Sequence, residues 1–188
     1  MNKLVLDLET KESFDDVGGQ ANIKQLSVSV VCVYWYPENK FMAFTENAFD
    51  KLDELLSRTD QIIGFNTEGF DLPVLQKYMK TDLSRISSID LLSYLKDALG
   101  RRIKLDNFVK ATLGIGKSGH GLEAIEWYKQ GKIKEIIDYC LMDVRLTRDL
   151  YEYGLRHKKV FYTHPESQQV MEVEIDWEKA KTVQRSML

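Results

Sequence analysis

The chain has 188 residues, of which 44% are hydrophobic, so length and composition suit one globular domain with a packed core. A formal net charge of −3 excludes a protein that holds nucleic acid by overall basicity, because that mode needs a broad lysine and arginine surface. The first residues reach an acid too soon for a signal peptide and no apolar run approaches a membrane span, which predicts a cytoplasmic protein without membrane contact. Cys32 and Cys140 lie in apolar runs and are expected to be reduced core residues.

Hydrophobic periodicity divides the chain into alternating strands and helices. In chain order, the patterns predict a strand at 3–8, a strand at 23–36, its hairpin partner at 40–45, a helix at 49–56, a strand at 61–65, a helix at 70–79, a strand at 85–90 and a helix at 91–99. Beyond these elements, residues 104–113 and 122–156 are predicted to be helical, with a break at Gly131. Residues 160–163 and 169–175 then predict a terminal hairpin.

This order of elements predicts an α/β fold. Three antiparallel strands come first and parallel strands follow through helical crossovers, which gives a mixed five-stranded sheet flanked by helices. We expect one domain over residues 1–157 and a C-terminal extension over 158–188, made of the hairpin and a tail.

Four carboxylates lie in three short stretches where a strand or helix begins or ends. Asp7 and Glu9 stand in LVLDLET, Asp71 in IIGFNTEGFDLPVL, and Asp143 in DYCLMDVRLT, where Tyr139 precedes it by four residues. Residues two apart on a strand, or four apart on a helix, face the same side, so each pair is presented together. Because oxygen-only ligand sets suit Mg²⁺ or Mn²⁺, the sequence predicts a two-metal phosphodiester enzyme.

Taken together, these stretches resemble the motifs of the DEDD superfamily of 3′-5′ exonucleases. DLET resembles the first motif, GFNTEGFD the second and YCLMD the third. The tyrosine-to-aspartate spacing resembles the DEDDy branch, since the histidine branch would need His where this chain has Asp138. With SIDLL, the second motif also resembles the exonuclease domains of family B DNA polymerases and stand-alone RNase H-like proteins of predicted exonuclease type.

The resemblance implies an RNase H-like fold and removal of nucleoside 5′-monophosphates from a 3′ end with two Mg²⁺ or Mn²⁺ ions. It implies that Asp7 bridges both metals and that Glu9 and Asp143 hold the ion that activates water. Asp71 would then serve the second ion, partly through water, and Tyr139 would orient the attacking water.

Further residues are expected to contact the substrate, with a single-stranded or frayed DNA end favoured and RNA possible. Aromatic faces commonly stack on single-stranded bases, and a net-acidic protein needs a local basic track for phosphates. The expected contacts are Thr10, Phe14, Asn66, Phe70, Arg101, Arg102, Lys104, Lys117 and His120. A solvated helix face remains the alternative for the basic residues, and a polymerase or helicase is a possible partner.

Other roles stay open for the same residues. Asp71 or Asp90 could be plain helix caps, Glu68 could take the role of Asp71, and Tyr139 could only pack in a helix interface. An aspartyl-phosphate enzyme is disfavoured because its D-x-D-x-T pattern is broken here by Glu9. A catalytically silent nucleic-acid-binding module and an RNase H-like endonuclease remain the alternatives to an exonuclease.

Overall fold

A computed structural model describes residues 1–116 and 121–177 of the chain. Within these residues the strands are β1 (Lys3–Thr10), β2 (Val28–Trp35), β3 (Lys40–Thr45), β4 (Gln61–Gly64), β5 (Ser87–Asp90), β6 (Lys159–Thr163) and β7 (Val170–Glu174). The α-helices are α1 (Phe49–Ser57), α2 (Asp71–Leu75), α3 (Leu91–Leu99), α4 (Leu105–Leu113), α5 (Gly121–Lys129) and α6 (Ile133–His157). None of the described helices is both long and apolar enough to cross a membrane.

The first five strands form one mixed sheet in the order β3-β2-β1-β4-β5. Strand β1 pairs antiparallel with β2 and β2 antiparallel with β3, whereas β1 and β4, and β4 and β5, are parallel. This is the predicted mixed sheet with flanking helices.

The two faces of the sheet bury separate cores, and β1 contributes to both because its side chains alternate. Val5 points into the core that contains the inner face of α6. Leu4 and Leu6 point into the opposite core, which is filled by α1 and α2. Every residue of β2 is buried, as expected for a strand that is covered on both faces. Cys32 and Cys140 are both free and buried, which agrees with their predicted place in the core.

The long strand predicted at 23–36 is wrong at its start, because the ladder of β2 begins only at Val28. Residues Gln20–Gln25 instead form 3₁₀ turns. The side-chain ammonium of Lys77 donates to the Leu26 carbonyl at 2.6 Å, and the Tyr78 hydroxyl accepts the Val28 N–H at 3.2 Å. These contacts direct the segment toward the region after α2 instead of along the sheet. The helix predicted at 70–79 is likewise shorter, since α2 ends at Leu75 and a 3₁₀ turn follows.

Strands β6 and β7 form the predicted terminal hairpin, which packs on the rest of the fold through two polar side chains of α4. Asn107 accepts the Thr163 N–H at 2.7 Å and donates to the Thr163 carbonyl at 2.9 Å. The Thr112 hydroxyl makes the same pair of bonds to Phe161, both at 2.9 Å. Because these side chains satisfy the outer edge of β6, that edge is closed to further strand pairing. The predicted tail lies outside the described residues from 178 onward, and the division at 157 stays a prediction.

We expect Thr112→Val to lower the free energy of unfolding by about 1–3 kcal/mol, because the isosteric change leaves both polar groups of Phe161 without their partner. Urea unfolding at neutral pH measures this loss. Ser57→Ala is the matched control, because the exposed Ser57 hydroxyl donates to the nearby Glu54 carbonyl and its removal should change stability little. Equal stability losses in the two variants would contradict the role given to Thr112.

Candidate active site

The carboxyl end of β1 is not paired with β4, because β4 is shorter than β1. Parallel pairing joins only Lys3–Val5 to Gln61–Ile63, and β1 continues beyond that point to Thr10. Asp7 and Glu9 lie in this extension, on the same face as Val5, and both are half-buried. They therefore project toward α6 at the carboxyl end of the strand.

The inner face of α6 adds a third carboxylate, that of Asp143. The helix is held close to β1 because the Cys140 thiol lies 3.4 Å from the Asp7 carbonyl oxygen and donates to it. Burial and the neighbouring Cys32 raise the pKa of the Cys140 thiol well above its ordinary value, so the thiol keeps its proton. As a result, one carboxylate oxygen each of Asp7, Glu9 and Asp143 lies within 4.8 Å of the others.

This group of three fits a hard divalent cation. All three ligands are carboxylates, and Mg²⁺ and Mn²⁺ bind oxygen donors of this kind. Carboxylates this close together repel one another unless a cation offsets their charge. Asp7, Glu9 and Asp143 would hold such an ion, as the sequence predicts, although their identity as ligands stays a prediction.

Asp71, the fourth predicted carboxylate, lies next to this group but outside the set of three. Its Oδ1 accepts the Leu8 N–H at 3.1 Å, on the side of β1 that β4 has left unpaired. Burial raises the pKa of Asp71 to about 7 with a smaller contribution from the charges of Asp90 and Asp143, against the lowering effect of its backbone hydrogen bonds. Asp71 also begins α2, as predicted.

The chain can place Asp71 there only because the loop from β4 folds back tightly. A Cβ atom on Gly64 would stand 1.5 Å from the Thr67 hydroxyl oxygen and 3.2 Å from the Leu6 carbonyl, so no larger residue fits. Asn66 adopts a left-handed conformation with φ of 73°, which asparagine tolerates better than most residues. The loop is therefore specified by its sequence.

We expect Asp71→Asn to stabilise the metal-free protein above pH 7 by a few kcal/mol. The raised pKa means that the folded state holds this proton more tightly than the unfolded state, so stability falls as pH rises from about 4 to about 7. Asparagine is neutral and still offers an oxygen to the Leu8 N–H. Thermal unfolding in a chelator at pH 5 and pH 8 measures the difference, which should be clearly larger at pH 8 than at pH 5. A less stable variant at pH 8 would show that the Asp71 charge is not costly.

Tyr139 lies one helical turn before Asp143 on α6 and is buried. Its ring packs edge-to-face on Trp127 of α5, with the ring centroids 6.0 Å apart. Sequence patterns did not single out Trp127, because its role depends on how α5 packs against α6. The contact fixes the tyrosine ring beside the third carboxylate.

A cavity of about 650 Å³ adjoins this group, and Glu9 forms part of its wall. Six of the predicted substrate contacts line it: Thr10, Phe14, Asn66, Phe70, Arg102 and Lys104. Phe14 and Phe70 pack edge-to-face with their centroids 5.7 Å apart, and Phe14 is 42% exposed. One aromatic pair and two cationic side chains therefore share a cavity with a carboxylate of the cluster.

Other predicted contacts lie elsewhere. The Arg101 guanidinium is 3.5 Å from the Glu166 carboxylate in the hairpin turn and does not line this cavity. Lys117 and His120 lie outside the described residues. The Glu68 side chain bonds to the Ser88 hydroxyl, so it does not compete with Asp71 for the position beside Leu8.

The cavity also has walls that sequence patterns did not single out. Glu12, Gln20 and Leu26 come from the segment between β1 and β2, and Ile125 comes from α5. The Glu12 carboxylate accepts the Ser27 N–H at 2.7 Å, which ties that segment together. A signal existed in the polar residues that follow β1, but only the fold shows which of them face the cavity.

The chain is similar to known proteins in its fold. A family model described as RNase_H superfamily matches residues 4–154, which confirms the predicted RNase H-like fold. None of the curated proteins matches the chain. Among solved structures 89 chains match, including the family B DNA polymerase from the hyperthermophilic archaeon Pyrobaculum calidifontis, with a TM-score of 0.63 and 17% sequence identity. That match covers 82% of this chain but only 24% of the polymerase chain, and at such low identity it shows the fold alone.

Proposed function

The chain belongs to the RNase H superfamily, and from that premise we propose that it is a metal-dependent nuclease acting as a 3′-5′ exonuclease. The observation that carries the proposal is the group of three carboxylates, Asp7, Glu9 and Asp143, which two separate elements bring within 4.8 Å. A module that only binds nucleic acid has no need for metal ligands held together in this way. The adjoining cavity supports an end-binding enzyme.

In this proposal Asp7, Glu9 and Asp143 hold two Mg²⁺ or Mn²⁺ ions, and Asp71 serves the second ion partly through water. When bound, the ions supply Lewis acidity and stabilise the attacking and leaving oxygens of the phosphodiester. Tyr139 orients the attacking water and is itself held by Trp127. The assignment of Tyr139 follows the tyrosine branch of the DEDD superfamily.

The cavity favours a single-stranded or frayed 3′ end as substrate. An unpaired terminal base can lie against the faces of Phe14 and Phe70, since aromatic side chains commonly stack on unpaired bases. Arg102 and Lys104 line the same cavity and can bind phosphates. A duplex end must separate before one base can enter a cavity of about 650 Å³. A polymerase or helicase partner stays a prediction.

We expect the paired change Arg102→Ala and Lys104→Ala to weaken binding of a single-stranded oligonucleotide and to reduce the salt slope of binding by about 1–2, because two phosphate contacts are lost. Arg101→Ala is the comparison variant and should lower affinity less, because its guanidinium faces Glu166. Fluorescence anisotropy in a chelator between 50 and 300 mM salt measures both slopes. A larger loss of affinity in Arg101→Ala than in the paired variant would show that the phosphates bind outside the cavity.

The experiment that tests the proposed activity uses a single-stranded DNA labelled at its 5′ end, with matched RNA and duplex substrates. Digestion with Mg²⁺ or Mn²⁺ should give a ladder that shortens one nucleotide at a time from the 3′ end, and a chelator should stop it. Immediate release of a labelled mononucleotide would show the opposite polarity. Scattered internal products would favour the endonuclease alternative.

A further inference from the structure

Asp90, the last residue of β5, joins two separate segments through one buried carboxylate. Its Oδ1 accepts the N–H groups of Leu92 and Ser93 at 3.0 and 3.2 Å, which caps α3 as the sequence predicts. The same oxygen accepts the Asn66 N–H at 2.8 Å, and Oδ2 accepts the Glu68 N–H at 3.0 Å. Asp90 therefore holds both the first turn of α3 and the loop between β4 and α2.

That loop, residues 65–70, forms one side of the candidate active site. Asn66, Gly69 and Phe70 line the cavity, and the residue that follows is Asp71. Inside the loop the Gly69 N–H donates to the Asn66 carbonyl at 3.1 Å, so the turn is closed. The position of this turn relative to the sheet determines where the cavity wall and the fourth carboxylate lie.

Helix capping alone does not account for the geometry of Asp90. A cap needs one acceptor oxygen, and Oδ1 already bonds to Leu92 and Ser93. Among the described residues, the second oxygen bonds to Glu68 alone. Hydrogen bonds to an ionised carboxylate are about twice as strong as neutral ones, and Asp90 is only 8% exposed, so this attachment is well suited to fixing the loop.

We propose that Asp90 is a positioning residue of the exonuclease site. By fixing the 65–70 loop it places Asn66 and Phe70 against the bound nucleic-acid strand and Asp71 beside Leu8. Asp90 acts through backbone amides and does not itself line the cavity. The proposal rests on the proposed function, because the loop matters for catalysis only if the cavity binds the nucleic-acid substrate.

Two substitutions separate capping from positioning. Serine is a good helix cap, so Asp90→Ser should keep the bonds to Leu92 and Ser93. Its single hydroxyl stands one bond closer to the backbone of α3 than Asp90 Oδ1, so it should not also reach the Asn66 N–H, and it has no second oxygen for Glu68. Asp90→Asn keeps one acceptor oxygen and turns an amide donor toward the Glu68 N–H. Asp82→Asn is the matched control, because Asp82 caps a 3₁₀ turn and does not line the cavity.

The experiment combines amide hydrogen exchange with single-turnover cleavage of a saturating single-stranded oligonucleotide. In Asp90→Ser we expect the Asn66 and Glu68 amides to lose protection while those of Leu92 and Ser93 keep it. Both Asp90 variants should cleave roughly 10- to 100-fold more slowly, the scale that a small misplacement of a reacting group produces. Asp82→Asn should cleave at the wild-type rate.

The outcomes distinguish the two levels of the account. Unchanged protection of Asn66 and Glu68 in Asp90→Ser overturns the positioning role whatever the rates. A loosened loop with wild-type single-turnover cleavage also overturns it and leaves Asp90 as a helix cap. If the wild-type protein cleaves no oligonucleotide, the proposed function fails and the catalytic role of Asp90 fails with it. That case is distinct from an active wild type with fully active Asp90 variants.

Discussion

We expect Asp7→Ala to abolish metal-dependent hydrolysis, a loss of about 10³-fold or more, while the fold stays intact. Asp7 belongs to the group of carboxylates that would hold the ions, and without it the charge that develops in the transition state would lose much of its stabilisation. The fold should survive because Asp7 sits at the open end of β1 and removing its charge relieves repulsion within the group. Single-turnover cleavage and thermal unfolding, run on the same preparation, measure the two effects.

Asp50→Ala is the control for this prediction, since Asp50 is an exposed aspartate of α1 whose carboxylate lies 3.5 Å from the Lys80 ammonium. It should cleave as the wild type does. Calorimetric titration with Mn²⁺ adds an independent reading, because Asp7→Ala should also weaken metal binding. Wild-type turnover by a well-folded Asp7→Ala protein would remove Asp7 from the catalytic group.

The second large effect concerns α6, where Tyr139 and Asp143 should differ in kind. Tyr139→Phe should slow the chemical step by about 10²-fold and leave metal affinity nearly unchanged, because a phenol that orients water holds no ion. Asp143→Asn should lower metal affinity and rate together, because this carboxylate belongs to the group of three. Single-turnover rates measured across a Mn²⁺ titration separate the two patterns.

Tyr153→Phe supplies the control on the same helix, since Tyr153 stacks on His157 near the other end of α6. It reports whether losing a tyrosine hydroxyl from α6 disturbs folding. Thermal unfolding of all three variants excludes a shared folding defect. A Tyr139→Phe protein that cleaves at the wild-type single-turnover rate would reduce Tyr139 to a packing residue against Trp127.

Local spacing was enough to predict which carboxylates of the group could meet. Two residues apart on a strand gives Asp7 and Glu9 one face, and the apolar face of α6 must turn toward the sheet, which carries Asp143 inward. The helix cap at Asp90 was also predictable from its place between a strand and a helix. These features depend on neighbours in the sequence.

Features that depend on lengths and distant partners were not predictable in the same way. Asp71 reaches the Leu8 N–H only because β4 ends before β1 does. Arg101 does not join Arg102 and Lys104 at the cavity, and its guanidinium lies beside the carboxylate of Glu166, a residue far along the chain. The hydrogen bond from the Glu68 N–H to the second oxygen of Asp90 follows from how the loop after β4 lies against β5. The predicted start of the second strand was wrong for the same reason, because hydrogen bonds to Lys77 and Tyr78 hold Leu26 and the Val28 N–H away from the sheet.

The group of Asp7, Glu9 and Asp143 is proposed to serve an enzyme that needs a 3′ end. The most direct test of this activity compares a linear single-stranded DNA with a covalently closed circle of the same sequence, both incubated with wild-type protein and Mn²⁺. The account predicts that the linear strand is consumed from its 3′ end to nucleoside 5′-monophosphates while the circle stays intact. Cleavage of the circle, or an untouched linear strand, would contradict it.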